Sequence, residues 1–171
     1  MRDVAVSDSD GLIELFWDQP GDSTASVIPS HAYSAAQLRP HSSWIAARRG
    51  DELIRELGIG EIVCIKIDVE GFEFEVLSGL VQTLSERRPV LIFEVLTNYF
   101  WNKLLEDEKI RTEKQGKANY IFNLLTNLDY SIYRIDRHGA EHRIDRFDLD
   151  KRPDSAFIND GRDYIARFNA R

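Results

Sequence analysis

The run Ile62-Val63-Cys64-Ile65-Lys66-Ile67-Asp68-Val69-Glu70-Gly71 constrains the fold more than any other stretch of this chain. Its first residues are almost continuously apolar, the pattern of a strand covered on both faces, and carboxylates begin only where such a strand leaves its sheet. From Gly71 the period becomes helical. Leu77, Leu80, Val81 and Leu84 recur at helical spacing, with Phe72, Phe74 and Val76 in the first turn, which predicts a helix from Gly71 to Arg88. Pro89 stops it, and Val90-Leu91-Ile92-Phe93 is a second buried apolar run with Glu94 at its end. Strand, helix and strand in this order form a βαβ unit. Its crossover is right-handed and its two strands adjacent and parallel, because no other arrangement buries both runs with so short a connection. Asp68, Glu70 and Glu94 then fall on the carboxyl edge of the sheet, where open α/β folds bind ligands.

At 171 residues, 43% of them apolar, the chain can bury one core, so a single domain over residues 1–171 is expected. The formal charge of -7 repels nucleic-acid phosphates, and no cluster of Lys and Arg interleaved with aromatics offsets it locally. No nucleic-acid partner is expected. Cys64 is the only cysteine and lies within the apolar strand, which excludes an intramolecular disulfide and a multi-thiolate metal site and suits the cytoplasm. The first 20 residues have no basic start followed by an apolar core. No stretch nears the roughly 18 to 20 apolar residues that span a bilayer, so no membrane partner is expected either.

Upstream of the central unit, Val4-Ala5-Val6 is strand-like, Ser7-Asp8-Ser9-Asp10-Gly11 is turn chemistry, and Leu12 to Trp17 reads as the returning strand of a hairpin. Asp18 to Pro40 is rich in Ser, Gly, Pro and Asp and reads as a long loop with an extended piece at Val27-Ile28-Pro29. Trp44 to Ala47 reads as a short strand and Asp51 to Leu57 as a helix begun by acidic residues. Downstream, Asn98 to Trp101 is aromatic and amide-rich, and Lys103 to Lys117 is a mixed-charge run, a solvated helix or a loop. Ala118, Ile121, Phe122, Leu125 and Leu128 make a helical stripe, Tyr130 to Ile135 an alternating strand, and Tyr164 to Phe168 a closing strand.

The segment KIDVEGFEFEVLSGLVQTL, followed by the strand ending in FEV, resembles the FkbM family of S-adenosylmethionine-dependent methyltransferases. Lys66 to Gly71, Glu73, Leu77 to Gly79 and Phe93-Glu94 match, in order, that family's Lys-Ile-Asp-Val-Glu-Gly strand end, its helical Glu and Leu-x-Gly, and its Phe-Glu strand end. VAVSDSDG with LIELFW is similar to the family's third strand and hairpin, and Thr24 to Val27 to its small-residue loop. The closing helix and the last two strands are similar to the family's final helix and antiparallel strands. The resemblance implies an α/β fold with a Rossmann-like class I methyltransferase sheet, mixed by an antiparallel C-terminal strand. It also implies S-adenosylmethionine as cofactor and methyl transfer to a hydroxyl of a small molecule or sugar.

Family members carry two further βα units before this point, with a glycine-rich turn for the methionine end of the cofactor and an acidic residue for the ribose. Glycines there let backbone approach the ligand, and the carboxylate accepts both ribose hydroxyls. No Gly-x-Gly-x-Gly occurs in this sequence. The resemblance therefore implies a sheet truncated at the N-terminus, the C-terminal portion of a methyltransferase domain. A competing expectation is a catalytically inactive remnant acting as a binding or interaction module, and an edge left by absent strands invites self-association.

Three carboxylates are the catalytic candidates. Asp68, at a strand end, can position a substrate hydroxyl or accept its proton, or it can cap the following helix. Glu70 can act beside it or be stabilised by the helix dipole in a first turn. Glu94 can be a second ligand-side carboxylate or the partner of a base such as Lys66. Ser7 and Asp8, after the strand that in class I methyltransferases delivers groups to the adenine, are with Asp68 the candidate cofactor contacts; a plain turn is the other reading of Ser7 and Asp8. Asn98, Tyr99 and Trp101 are candidates to line an acceptor pocket or to cover the core. No metal site is assigned: His138 and His142 are four apart, but Gly139 argues against a helix that would align them, and a solvated turn is expected.

Overall fold

The computed structural model describes residues 3–21, 25–28, 30–31, 34–38, 41–96, 108–150 and 163–169. In chain order the elements are β1 (Val4–Ser7), β2 (Gly11–Trp17), β3 (Ser30–His31), β4 (Ser34–Leu38), β5 (His41–Arg49), α1 (Gly50–Glu56), β6 (Cys64–Ile67), α2 (Glu73–Ser78), α3 (Val81–Arg87), β7 (Val90–Glu94), α4 (Glu108–Asn127), β8 (Tyr130–Ile135), β9 (Glu141–Arg143) and β10 (Asp163–Phe168). The expected βαβ unit is present: β6 and β7 are adjacent and parallel, in register from Cys64 opposite Val90 to Ile67 opposite Phe93. They begin a five-stranded sheet of order β6-β7-β10-β8-β9, in which β10 runs antiparallel to both β7 and β8. The fold is α/β with a mixed sheet. A second sheet has the order β1-β5-β2, and β3 pairs with β4 in a two-stranded ribbon.

The core lies between the five-stranded sheet and helices α2, α3 and α4. Leu77, Leu84, Leu91 and Leu125 are completely buried there, and Phe93 and Tyr164 stack at 5.8 Å. Losing most of such a leucine side chain costs about 2–5 kcal/mol, so this cluster sets the stability of the region behind the carboxyl edge. Asp51 of α1 caps α3 from across the chain. Its carboxylate accepts the backbone N–H groups of Gln82 and Thr83 at 2.9 and 2.8 Å, two donors that the helix itself leaves unsatisfied. Arg88, at φ 55, and Pro89 then end α3. The Tyr130 hydroxyl donates to the Leu84 and Pro89 carbonyls, and burial pushes its pKa up to about 12.

Four features depart from expectation, besides the β3 and β4 strands that lie within the expected Asp18 to Pro40 loop. The helix expected over Gly71 to Arg88 is two helices, broken at Gly79 and Leu80. Gly79 lies so close to β1 that a Cβ there would sit 1.9 Å from the Ser7 carbonyl oxygen. Its role is space, since its φ of -76 suits any residue. Secondly, β1 and β2 do not pair as a hairpin: β5 lies between them, parallel to β1 and antiparallel to β2. Local alternation predicted both strands, but it carries no information on which strand intervenes. Thirdly, β6 is an edge strand whose Cys64 is exposed, with Val63 beside it 72% exposed, so the apolar run is not covered on both faces. Fourthly, Trp44 to Ala47 is the middle of a nine-residue strand. Helix α4 takes up the end of the mixed-charge run, and its Ala118, Ile121 and Leu125 are buried as the stripe requires. Residues 97–107, including Asn98, Tyr99 and Trp101, lie outside the described residues. Among the described residues no helix is long and apolar enough to cross a membrane.

Candidate active site

Parallel pairing places the carboxyl ends of β6 and β7 side by side. Ile67 lies opposite Phe93, so the next residues, Asp68 and Glu94, emerge at the same level of neighbouring strands, about 5 Å apart in backbone spacing. Glu70 joins them because the chain reverses sharply after Val69. Glu70 has φ 51 and Gly71 φ 103, two consecutive left-handed residues that turn the backbone before α2 begins. As a result Asp68, Glu70 and Glu94 each offer a carboxylate oxygen within 4.8 Å of the others. Asp163, the first residue of β10, pairs with Glu94 in register and adds a fourth acid to this edge.

The N-cap of α2 is Phe72, with no side chain capping the helix, so Asp68 does not serve as its cap. Asp68 instead accepts a hydrogen bond from Lys66 Nζ at 2.7 Å, two residues back on the same face of the strand. That bond raises the Lys66 pKa, with Glu94 and Asp163 adding to the attraction. Glu70 is not in a helical turn; the acids of the first turn of α2 are Glu73 and Glu75. Ser7 and Asp8 are elsewhere. The Ser7 hydroxyl donates to Asp8 at 3.3 Å and Ser9 donates to the same Asp8 oxygen at 3.0 Å, a local turn at the end of β1 outside the carboxylate group. His138 and His142 lie in and after a turn, where His142 Nε2 is 2.9 Å from Asp136.

Two cavities flank the Asp68–Gly71 turn. The larger, about 540 Å³, is apolar and lined by Val4, Ala5 and Val6 of β1, Ile13 and Leu15 of β2, Ile45 of β5, Ser26, and the continuous stretch Ile65 to Val69. The smaller, about 60 Å³, is lined by Gly71, Glu73, Val95, Leu96 and Lys114 among others. Oxygen ligands on opposite sides of a Ca²⁺-sized ion at 2.3–2.6 Å lie about 4.6–5.2 Å apart, so the three acids have the spacing of hard-cation ligands as well as that of a proton-accepting group.

Sequence reasoning passed over four residues here: Glu73 and Ser26 had only a family match, Ser26 within the Thr24 to Val27 loop, and Lys114 and Asp163 had no signal of their own. Glu73 is 6% exposed. Burial pushes its pKa up to about 7, against hydrogen bonds from the backbone N–H groups of Gly71 and Glu73 and with repulsion from Glu94 and Glu70. Burial pushes Lys114 down to about 6, partly opposed by Glu73. A carboxyl that holds its proton more tightly folded than unfolded loses stability as pH rises from its ordinary 4.5 through about 7. Lys114 acts in the opposite sense above about 6, so the informative comparison is wild type against Glu73→Gln. Relative to wild type, the glutamine variant is expected to gain about 3 kcal/mol between pH 5 and pH 8, read from denaturant midpoints at the two pH values. A constant difference would place Glu73 in a more solvated setting.

A family profile described as Methyltransferase FkbM domain matches residues 1–132 of the 171. The chain belongs to the FkbM methyltransferase family. No curated protein and no solved structure matches it significantly.

Proposed function

We propose that this chain is the C-terminal portion of an S-adenosylmethionine-dependent methyltransferase that methylates a hydroxyl of a small molecule or sugar. The observation that carries the reading is the meeting of Asp68, Glu70 and Glu94 at the carboxyl edge of β6 and β7, beside an apolar cavity of about 540 Å³. In this chain the acids orient the acceptor: Asp68, half exposed and held by Lys66, accepts the hydroxyl's hydrogen bond and then its proton. Glu70 and Glu94 fix the remaining hydroxyl orientation and favour a hydrogen-bond donor at this point. S-adenosylmethionine, when bound, supplies a methyl group on a sulfonium.

The residues present fit part of that cofactor. The apolar cavity suits an adenine ring, but no glycine-rich backbone cradle and no second-strand carboxylate for the ribose occurs among the described residues. Partial-domain status is supported by the sheet edges. Among the described residues β1 pairs only with β5 and β6 only with β7, and consecutive residues of each, Val4 to Val6 and Ile65 to Ile67, line the same cavity. Side chains alternate along a strand, so an unbroken run of lining residues means that the backbone edge itself faces the space. Strands placed there would join both sheets into one. The same incomplete fit favours the second reading, a non-catalytic remnant that binds a partner along these edges.

The test is methyl transfer in a protein with upstream strands restored. Asp68→Ala is expected to lower the rate by at least about tenfold with the fold intact, as loss of a positioned acid–base group does. An unchanged rate would reduce Asp68 to a surface partner of Lys66.

A further inference from the structure

Why Glu70 reaches the other two acids is not explained by its own strand. A non-glycine residue in the left-handed region costs roughly 1 kcal/mol, and here Gly71 follows in a conformation of the same hand. Two buried side chains hold this turn from opposite sides. Ser26, 3% exposed and 44 residues back along the chain, donates from Oγ to the Glu70 carbonyl at 2.9 Å, and the same oxygen accepts the Ile28 N–H at 3.1 Å. Glu73, in the first turn of α2, accepts the Gly71 N–H at 3.0 Å. Ser26 is itself fixed by backbone bonds in both directions with Phe16 of β2, at 2.8 and 3.0 Å. The turn is therefore clamped between the second sheet and helix α2.

We infer that Ser26 and Glu73 are positioning residues: they hold the Glu70–Gly71 turn in its left-handed form and so keep the Glu70 carboxylate against those of Asp68 and Glu94. Neither has to touch the acceptor. The clamp ties the carboxylate group to the loop that follows β2, so the geometry of that loop and of the three acids change together. Its relevance to catalysis rests on the methyltransferase reading; the clamp itself does not.

The experiment is solution NMR on the whole chain as wild type, Glu73→Gln, Glu73→Leu, Ser26→Ala and Ser26→Thr. The intraresidue amide-to-Hα Overhauser effect of Glu70 reports a left-handed φ, and amide exchange at Gly71 reports its hydrogen bond. Glu73→Gln and Ser26→Thr keep the necessary oxygen and should leave both signals within about twofold of wild type. Glu73→Leu should speed Gly71 exchange by at least about fivefold, as loss of one neutral hydrogen bond does. Glu73→Leu and Ser26→Ala should each weaken the Glu70 effect, while the amide shifts of β7, β8 and β10 stay in place. Retention of both signals in Glu73→Leu and Ser26→Ala would overturn the clamp; so would equal damage from the conservative and disruptive replacements. If Glu73→Leu unfolds the chain, the Ser26 pair decides. None of these readouts needs turnover, so a chain that transfers no methyl group still tests the clamp, and the Asp68 variant separately tests the reaction.

Discussion

Calorimetric titration of residues 1–171 with S-adenosylhomocysteine is expected to give binding weaker by a hundredfold or more than that of the same domain with its glycine-rich turn and ribose carboxylate in place. On the partial-domain reading proposed above, two buried polar contacts would be absent, at roughly 1.5 to 3 kcal/mol each for charged partners, and each 1.4 kcal/mol is about tenfold in affinity. On the same reading the apolar cavity supplies the part of the affinity that comes from burying an adenine ring. Micromolar binding by this chain alone would mean that the cavity and the carboxylate edge suffice, and would overturn the partial-domain reading. Restored binding on addition of upstream strands would bear it out and dismiss the non-catalytic remnant.

Replacing Gly79 by alanine is expected to cost about 3 kcal/mol or more, at the upper end of what inserting one methyl group into a packed interior costs. The new Cβ would stand 1.9 Å from the Ser7 carbonyl oxygen and 2.7 Å from its carbon, so backbone must move and no rotamer change relieves the clash. Gly116, in α4, is the control: nothing lies within 4 Å of its Cβ position, and alanine there should stabilise by roughly 0.5–1 kcal/mol through helix propensity. Urea midpoints of the two variants measure both. A Gly79→Ala variant as stable as wild type would show that β1 can withdraw from α2, and would remove the packing reason for the Leu-x-Gly motif.

The central unit was legible because its signals are local. Val90 to Phe93 and the Asp68, Glu94 pair follow from apolar runs that end in carboxylates, and parallel pairing at matching register brings those ends together without further information. The strand β8 was readable to the residue, since Tyr130, Ile132 and their neighbours alternate over a short run closed by Asp129. The edge position of β6 was not readable. An apolar run that faces a cavity and one that faces a second layer have the same composition, and only the order of strands distinguishes them. Glu73 shows the same limit: in sequence it is an acid in a helical first turn, and its raised pKa comes first from burial, which only the packing around it decides, with repulsion from Glu94 on the neighbouring strand end and from Glu70 adding to it.

The sequence alone determined the α/β class, the βαβ unit, the antiparallel closing strand through its family resemblance, and the three acids at one edge, because period, strand ends and chain stops are properties of consecutive residues. Tertiary structure alone decided that β5 separates β1 from β2, that α2 and α3 part where Gly79 meets Ser7, and that Ser26 and Glu73 close on the Glu70 turn. Apart from the Glu73–Gly71 bond, which spans two residues, those are facts about neighbours far apart in the chain, and hydrophobic periodicity specifies which face is buried without specifying what buries it.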